Sequence, residues 1–106
     1  MRGEIWTMRD DRYASKARPV VIVQSDEVRG FESVVLCLLT TYDNTNVSTR
    51  VRVEPSAENG LERTSFVMTE KIASVSRDML GKRIGMLESG YLEKVSRALM
   101  TVLGLG

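Results

Sequence analysis

The sequence predicts a small, mainly β fold: a compact, barrel-like sheet of about six or seven short strands closed by one C-terminal helix. Three observations predict it. Val20-Val21-Ile22-Val23 sets four β-branched residues in a row, which suits a buried strand far better than a helix. Other apolar runs of strand length recur along the chain, separated by stretches rich in Gly, Asn, Asp and Ser. Only the last segment has helical periodicity, with Leu92, Val95, Leu99 and Val102 on one face.

Ile5 to Met8 is short and apolar-rich, and reads as a first strand after a turn at Gly3. Residues 9–17 are charged and aperiodic, a loop. Pro19 cannot donate to a ladder, so it belongs at the start or edge of the strand that runs to Val23. Ser33 to Thr40 is the next strand, central by its length and apolarity, with Cys37 inside it as a buried, inert thiol. Thr41 to Ser48 is a polar loop. Arg50 to Glu54 alternates polar and apolar, as a half-buried strand does. Asn59-Gly60 marks a turn within Pro55–Arg63. Ser65 to Val75 reads as one bent strand or two short ones. Ser76 is placed to cap a single helical turn through Leu80, and Gly81 to Leu87 suits a last strand. In the final helix Ser89 is the expected N-cap, Glu93 and Arg97 an outward i,i+4 pair, and Gly104 the stop.

Length and composition narrow the function. A chain of 106 residues fits one domain, 1–106. One cysteine and no histidine leave no internal disulfide, no Cys/His zinc site and no imidazole chemistry. Glu4 within a short apolar opening argues against a signal peptide, and no apolar stretch reaches membrane-spanning length, so a soluble cytoplasmic protein is expected. The net charge of +1 draws no polyanion globally. The charge is uneven, however. Residues 1–18 carry five basic groups against three acids, and residues 19–48 carry one against four. The basic loop near the N-terminus is the local feature that could hold an anion; a solvated turn is the plainer reading.

No glycine-rich phosphate loop, GxSxG, CxxC or HExxH occurs, so Arg, Lys, Thr, Ser, Tyr, Asp and Glu remain as chemical groups. Arg18 stands between the basic loop and the apolar strand, fixed beside Pro19. It could present a forked donor to a phosphate, or pair with a nearby acid. Thr40 ends the Val34–Leu39 run, where its hydroxyl could meet a phosphate oxygen or simply a backbone group. Glu70 and Lys71 interrupt an apolar stretch side by side and should face opposite ways; a surface ion pair is the plain alternative.

Taken together, Arg2-Gly3-Glu4-Ile5-Trp6, Arg18-Pro19-Val20-Val21-Ile22-Val23-Gln24, Val35–Thr40, Asn59-Gly60-Leu61, Ser65–Val75, Ile84-Gly85-Met86-Leu87 and the helix ending Leu103-Gly104-Leu105 resemble the MazF/PemK family of bacterial toxin endoribonucleases, in order and over nearly the whole chain. The resemblance implies a small SH3-like barrel of the CcdB/MazF type that forms a homodimer. It implies cleavage of single-stranded RNA at short motifs without metal or cofactor. The ribose 2′-OH attacks the phosphodiester, leaving a 2′,3′-cyclic phosphate and a 5′-OH. By the family pattern Arg18 and Thr40 are the catalytic pair. Arg18 stabilises the phosphorane and could pass a proton to the leaving oxygen, and Thr40 holds a non-bridging oxygen. Glu70 and Lys71 match base-contacting positions. Tyr42 and Asn44, in the loop after Thr40, offer a base-reading surface, and Arg12 and Lys16 in the first loop a basic one. The implied partner is an antitoxin whose acidic, disordered tail folds over the groove and competes with RNA.

The chain departs from the family in its first loop, which is shorter and has no histidine. The general base is therefore unassigned, with Glu70 a candidate. Two other classes share the fold. A CcdB-like toxin binds DNA gyrase without catalysis, through specific side chains at the helix tail, where this chain has Leu105-Gly106. A catalytically silent module would only bind an antitoxin.

Overall fold

The structure is a computed structural model that describes residues 1–9, 17–43 and 46–106. Among the described residues it has six strands and an α-helix: β1 (Glu4–Arg9), β2 (Ala17–Ile22), β3 (Ser33–Thr40), β4 (Val51–Val53), β5 (Ser65–Ser76), β6 (Leu80–Met86) and α1 (Ser89–Leu103). The strands form one antiparallel sheet in the order β4-β5-β3-β2-β1-β6. Ser65 to Ser76 is a single strand, bent at a bulge. Between β5 and β6, Arg77–Met79 makes one 3-10 turn, and Ser76 caps it by accepting from the Asp78 N–H at 3.4 Å.

The sheet does not close, which overturns the expectation of an SH3-like barrel. β4 and β6 are its two edges, and no ladder joins them. The physical reason lies just beyond β4. That strand is only three residues long, and Pro55, two residues on, has no N–H to extend it. Residues 54–64 instead fill the gap as a loop built around Asn59, which is fully buried. The Asn59 side chain accepts from the Ser56 and Leu61 N–H groups and donates to the Glu54 carbonyl and the Glu88 carboxylate, all at 2.9–3.0 Å. The loop meets β6 through one main-chain bond, Met86 N–H to Glu58 C=O at 2.9 Å. Gly60 and Gly85 allow that contact: a Cβ on Gly60 would lie 2.0 Å from the Ile84 carbonyl oxygen, and one on Gly85 2.3 Å from the Asn59 carbonyl. Gly60 also has φ of 70°, the left-handed region that glycine favours.

Both faces of the sheet are apolar, which explains the unbroken β-branched run in β2. Ile5, Val21, Val23, Cys37 and Leu39 face the core beneath α1, and Val95 of the helix is fully buried against them. Met8, Val20, Ile22, Val34 and Leu36 form a second cluster on the other face. The first residues join the parts. Arg2 donates through its guanidinium to the Val23 carbonyl and, at 2.5 Å, to Ser96 Oγ of α1. The Glu4 carboxylate accepts from Trp6 Nε1 at 3.3 Å and Arg83 Nε at 2.9 Å, tying β1 to β6.

The helix differs from expectation at two points. Its N-cap is Glu88, not Ser89, and it makes no side-chain capping bond because its carboxylate is turned to Ser56 and Asn59. Val102 is exposed, since the last turn runs past the sheet, whereas Leu92 and Leu99 pack on the core. The Glu93–Arg97 pair forms, and Gly104 ends the helix at φ of 69° with its N–H on the Met100 and Thr101 carbonyls.

Cys37 is fully buried. Burial pushes its thiol up to about 11, with the nearby Glu70 charge adding to the rise. At neutral pH a thiol reagent is expected to leave Cys37 untouched in the folded protein and to label it fully once denatured. Rapid labelling of the native protein would contradict the buried placement.

Candidate active site

Strand alternation carries Arg18, Val20 and Ile22 to one face of β2. Val20 pairs with Leu38, and continuing that register by two residues brings Arg18 opposite Thr40 at the end of β3. On its other side Arg18 pairs with Met8 of β1, and Leu38 pairs with Met68 of β5. Arg18, Thr40, Met8, Leu38, Leu39, Met68 and Lys71 line one cavity of about 170 Å³. A larger hollow of about 680 Å³ lies at the opposite end of β2. It too holds two cations, Arg29 and Arg77, but its wall also carries the Asp26 carboxylate. Among the described residues the smaller one gathers Arg18, Lys71 and the Thr40 hydroxyl with no acid beside them.

The register of β5 explains how Lys71 arrives there. Met68 pairs with Leu38 and Ile72 with Cys37, so Thr69, Glu70 and Lys71 are extra residues against consecutive partners on β3. This bulge re-aims the strand. Glu70 turns to Arg50, just before β4, and its Oε2 accepts from Arg50 Nε at 3.0 Å and Nη2 at 2.6 Å. Burial alone would raise the Glu70 carboxyl, but the Arg50 hydrogen bonds and charge outweigh it and hold it below the usual range. The pair therefore supports folding at neutral pH, and that support is lost as pH falls through the lowered value.

Thr40 Oγ1 accepts from the Tyr42 N–H at 3.1 Å, which fixes the side chain and leaves the hydroxyl hydrogen as a donor. Tyr42 itself is exposed, two residues beyond Thr40. Arg12, Lys16 and Asn44 lie outside the described residues. The apolar floor of Met8 and Met68, and the role of Arg50, escape a reading of the sequence. The partners of Arg18 across β1 could have been counted from the strand alternation, but Arg50 gave no local signal. Among the described residues, no group of three or more Cys, Asp and Glu side chains could hold a metal ion.

An open antiparallel sheet with a helix on one face and a cleft bearing arginine, lysine and threonine on the other defines a small β protein suited to an anionic ligand. Known proteins carry the assignment further. Residues 1–103 match the sequence profile described as PemK-like, MazF-like toxin of type II toxin-antitoxin system. The chain is 35% identical over 105 residues to a probable endoribonuclease MazF of Mycolicibacterium smegmatis, covering 98% of this chain and 96% of that protein. Among solved structures, it is similar to a mycobacterial endoribonuclease in complex with its cognate antitoxin, with a TM-score of 0.85 and 32% identity over 100% of this chain and 96% of that one. It is also similar to the Mycobacterium tuberculosis toxin MazF-mt6, with a TM-score of 0.82 and 28% identity over 97% of this chain and 98% of that one. The chain belongs to the MazF/PemK family of toxin endoribonucleases of type II toxin–antitoxin systems.

Proposed function

We propose that this protein cleaves single-stranded RNA by metal-independent transesterification in the cleft between β2 and β3. The observation that carries the reading is that Arg18, Thr40 and Lys71 line one cavity. The ribose 2′-OH attacks the neighbouring phosphorus and loses its proton. The P–O5′ bond breaks, and O5′ leaves as a hydroxyl after taking up a proton. The products are a 2′,3′-cyclic phosphate and a 5′-OH end. Charge gathers on the non-bridging oxygens as phosphorus becomes five-coordinate. Arg18 meets it with a planar fork of donors, and Thr40 with one hydroxyl already oriented by Tyr42. Both are preorganised by strand register and move little as the charge develops.

Glu70 suits RNA contact better than proton abstraction. Held ionised by Arg50, it is a weak base at neutral pH. In this reading Lys71 meets the backbone beside the scissile phosphate, Glu70, paired with Arg50 outside the cavity lining, meets a base edge, and Tyr42 offers a ring for an unstacked base. Arg12, Lys16 and Asn44 are proposed, on their sequence alone, to contact RNA as well. The protein acts in the cytoplasm as a homodimer, and a cognate antitoxin with an acidic, disordered tail covers the cleft and excludes RNA. The mycobacterial relative solved with its antitoxin supports that partner.

The test is incubation of a long single-stranded RNA with the protein in EDTA. Cleavage leaving 5′-OH ends is expected. No cleavage across varied RNA sequences would overturn the nuclease reading in favour of a gyrase-binding or silent module. With two to four cationic contacts, RNA affinity should fall roughly 7- to 50-fold across a fourfold rise in salt. Salt-independent binding would count against an electrostatic cleft.

A further inference from the structure

We propose that Arg50 is a positioning residue: by engaging Glu70 it holds the β5 bulge and keeps the Glu70 carboxylate from taking the Lys71 ammonium away from the cleft. This rests on the cleft being the RNA site. Arg50 itself does not line the cavity.

The geometry that points to it is a two-point clamp. Thr69 is fully buried and donates its hydroxyl to the Thr49 carbonyl at 2.7 Å. The next residue, Glu70, accepts two bonds from Arg50, the residue after Thr49. Consecutive residues of the bulge are thus fastened to consecutive residues ahead of β4. The third bulge residue, Lys71, is the one that reaches the wall shared with Arg18 and Thr40. The Arg50 side chain is 12% exposed and that of Glu70 31%, so the pair is better shielded from water than most surface ion pairs.

The chemistry of the cleft shows why the clamp matters. A carboxylate beside an anion site is an internal rival of the substrate, since it attracts the same cations. Glu70 is adjacent in sequence to Lys71 and close enough to feel its charge. Arg50 offers the carboxylate a forked partner that an ammonium cannot match geometrically. With Glu70 so occupied, the Lys71 charge is directed to the ligand. Removing Arg50 turns Glu70 toward Lys71, and the cleft loses attraction for phosphate.

The clamp also explains why β5 breaks its register where it does. A bulge leaves main-chain groups without ladder partners, and side-chain anchors compensate for that loss. Thr69 supplies one anchor by neutral hydrogen bonding and Glu70 the other by charge. Only the second affects the electrostatics of the cleft, so the two anchors separate experimentally.

The experiment compares wild type, Arg50→Ala, Glu70→Gln and the double variant Arg50→Ala/Glu70→Gln. Reductive methylation with a carbon-13 label reports on the Lys71 side chain by NMR. RNA cleavage kinetics give KM and kcat separately. The Lys71 resonance should move in Arg50→Ala and return in the double variant. KM should rise about tenfold in Arg50→Ala, the size of one charge-assisted contact, with kcat within about twofold. In the Glu70→Gln background the same Arg50 substitution should leave KM nearly unchanged. An equal KM penalty in both backgrounds would overturn the proposal, as would an unmoved Lys71 resonance. If Lys71 responds as expected but the wild type cleaves no RNA, the positioning role stands and the RNA reading fails. Should Arg50→Ala not fold, Arg50→Gln carries the same comparison.

Discussion

Arg18→Ala is expected to slow RNA cleavage by roughly two to three orders of magnitude, the usual cost of deleting a preorganised donor to developing charge. Arg18 is exposed at its strand end, so the loss should appear in kcat with little change in thermal unfolding. Arg18→Lys should recover little. An ammonium is a compact point charge and cannot span two phosphate oxygens as the planar guanidinium does. Thr40→Val, which keeps the strand and removes one donor, should also impair cleavage. Initial rates on one RNA in EDTA, with melting curves on the same samples, decide the matter. Equal rates for wild type and Arg18→Ala would remove Arg18 from the chemistry, even if the protein cleaves RNA.

The largest effect on stability is expected at the seam between the residue 54–64 loop and β6. Gly60→Ala and Gly85→Ala should each destabilise by about 3 kcal/mol or more. Each new methyl would meet main-chain atoms, at 2.0 Å from the Ile84 oxygen or 2.3 Å from the Asn59 carbonyl group. A side chain in the way could rotate aside; a peptide group cannot, so the loop and strand must separate. Separation breaks the Met86–Glu58 bond and disturbs the buried Asn59 hydrogen bonds. For Gly60 the positive φ adds roughly 1 kcal/mol or more. Native stability is typically about 5–15 kcal/mol, so the melting temperature should drop by about 12 °C or more. Gly90→Ala is the control: a Cβ there meets nothing within 4 Å, and its melting temperature should hold or rise slightly. A Gly85→Ala protein melting like wild type would show that the seam is slack.

Where local pattern and tertiary demand agreed, the elements were legible in advance. Ser33–Thr40 is apolar on both faces because both are buried, so its run of apolar residues marked its full length. Arg18 and Thr40 stood at recognisable strand ends, and antiparallel pairing brings such ends together. Closure of the sheet was not legible. It depends on whether β4 continues, and residues 54–64 substitute side-chain bonds from one buried asparagine for a ladder, which leaves no periodic trace. The delivery of Lys71 was equally hidden. A bulge has no composition of its own, and its anchors, Thr49 and Arg50, are distant in sequence and ordinary in type. Ser89 misled as an N-cap because its neighbour Glu88 was already committed to Asn59.

The alternation of β2 and β3 has a genetic consequence. Arg18, Leu38 and Thr40 serve the cleft, with Val20 on the same face, while Val21 and Cys37 serve the packing under the helix; Leu39 alone of these touches both. A missense change at one set leaves the other where it was, so heritable drift in robustness and drift in activity run on separate codons. Loss of a single in-frame codon within β2 acts differently. It exchanges the two sets downstream or upstream of the lesion, burying what should be wet and wetting what should be buried. For a member of a toxin family, such an indel is a one-step route to inactivation that no neighbouring substitution readily reverses.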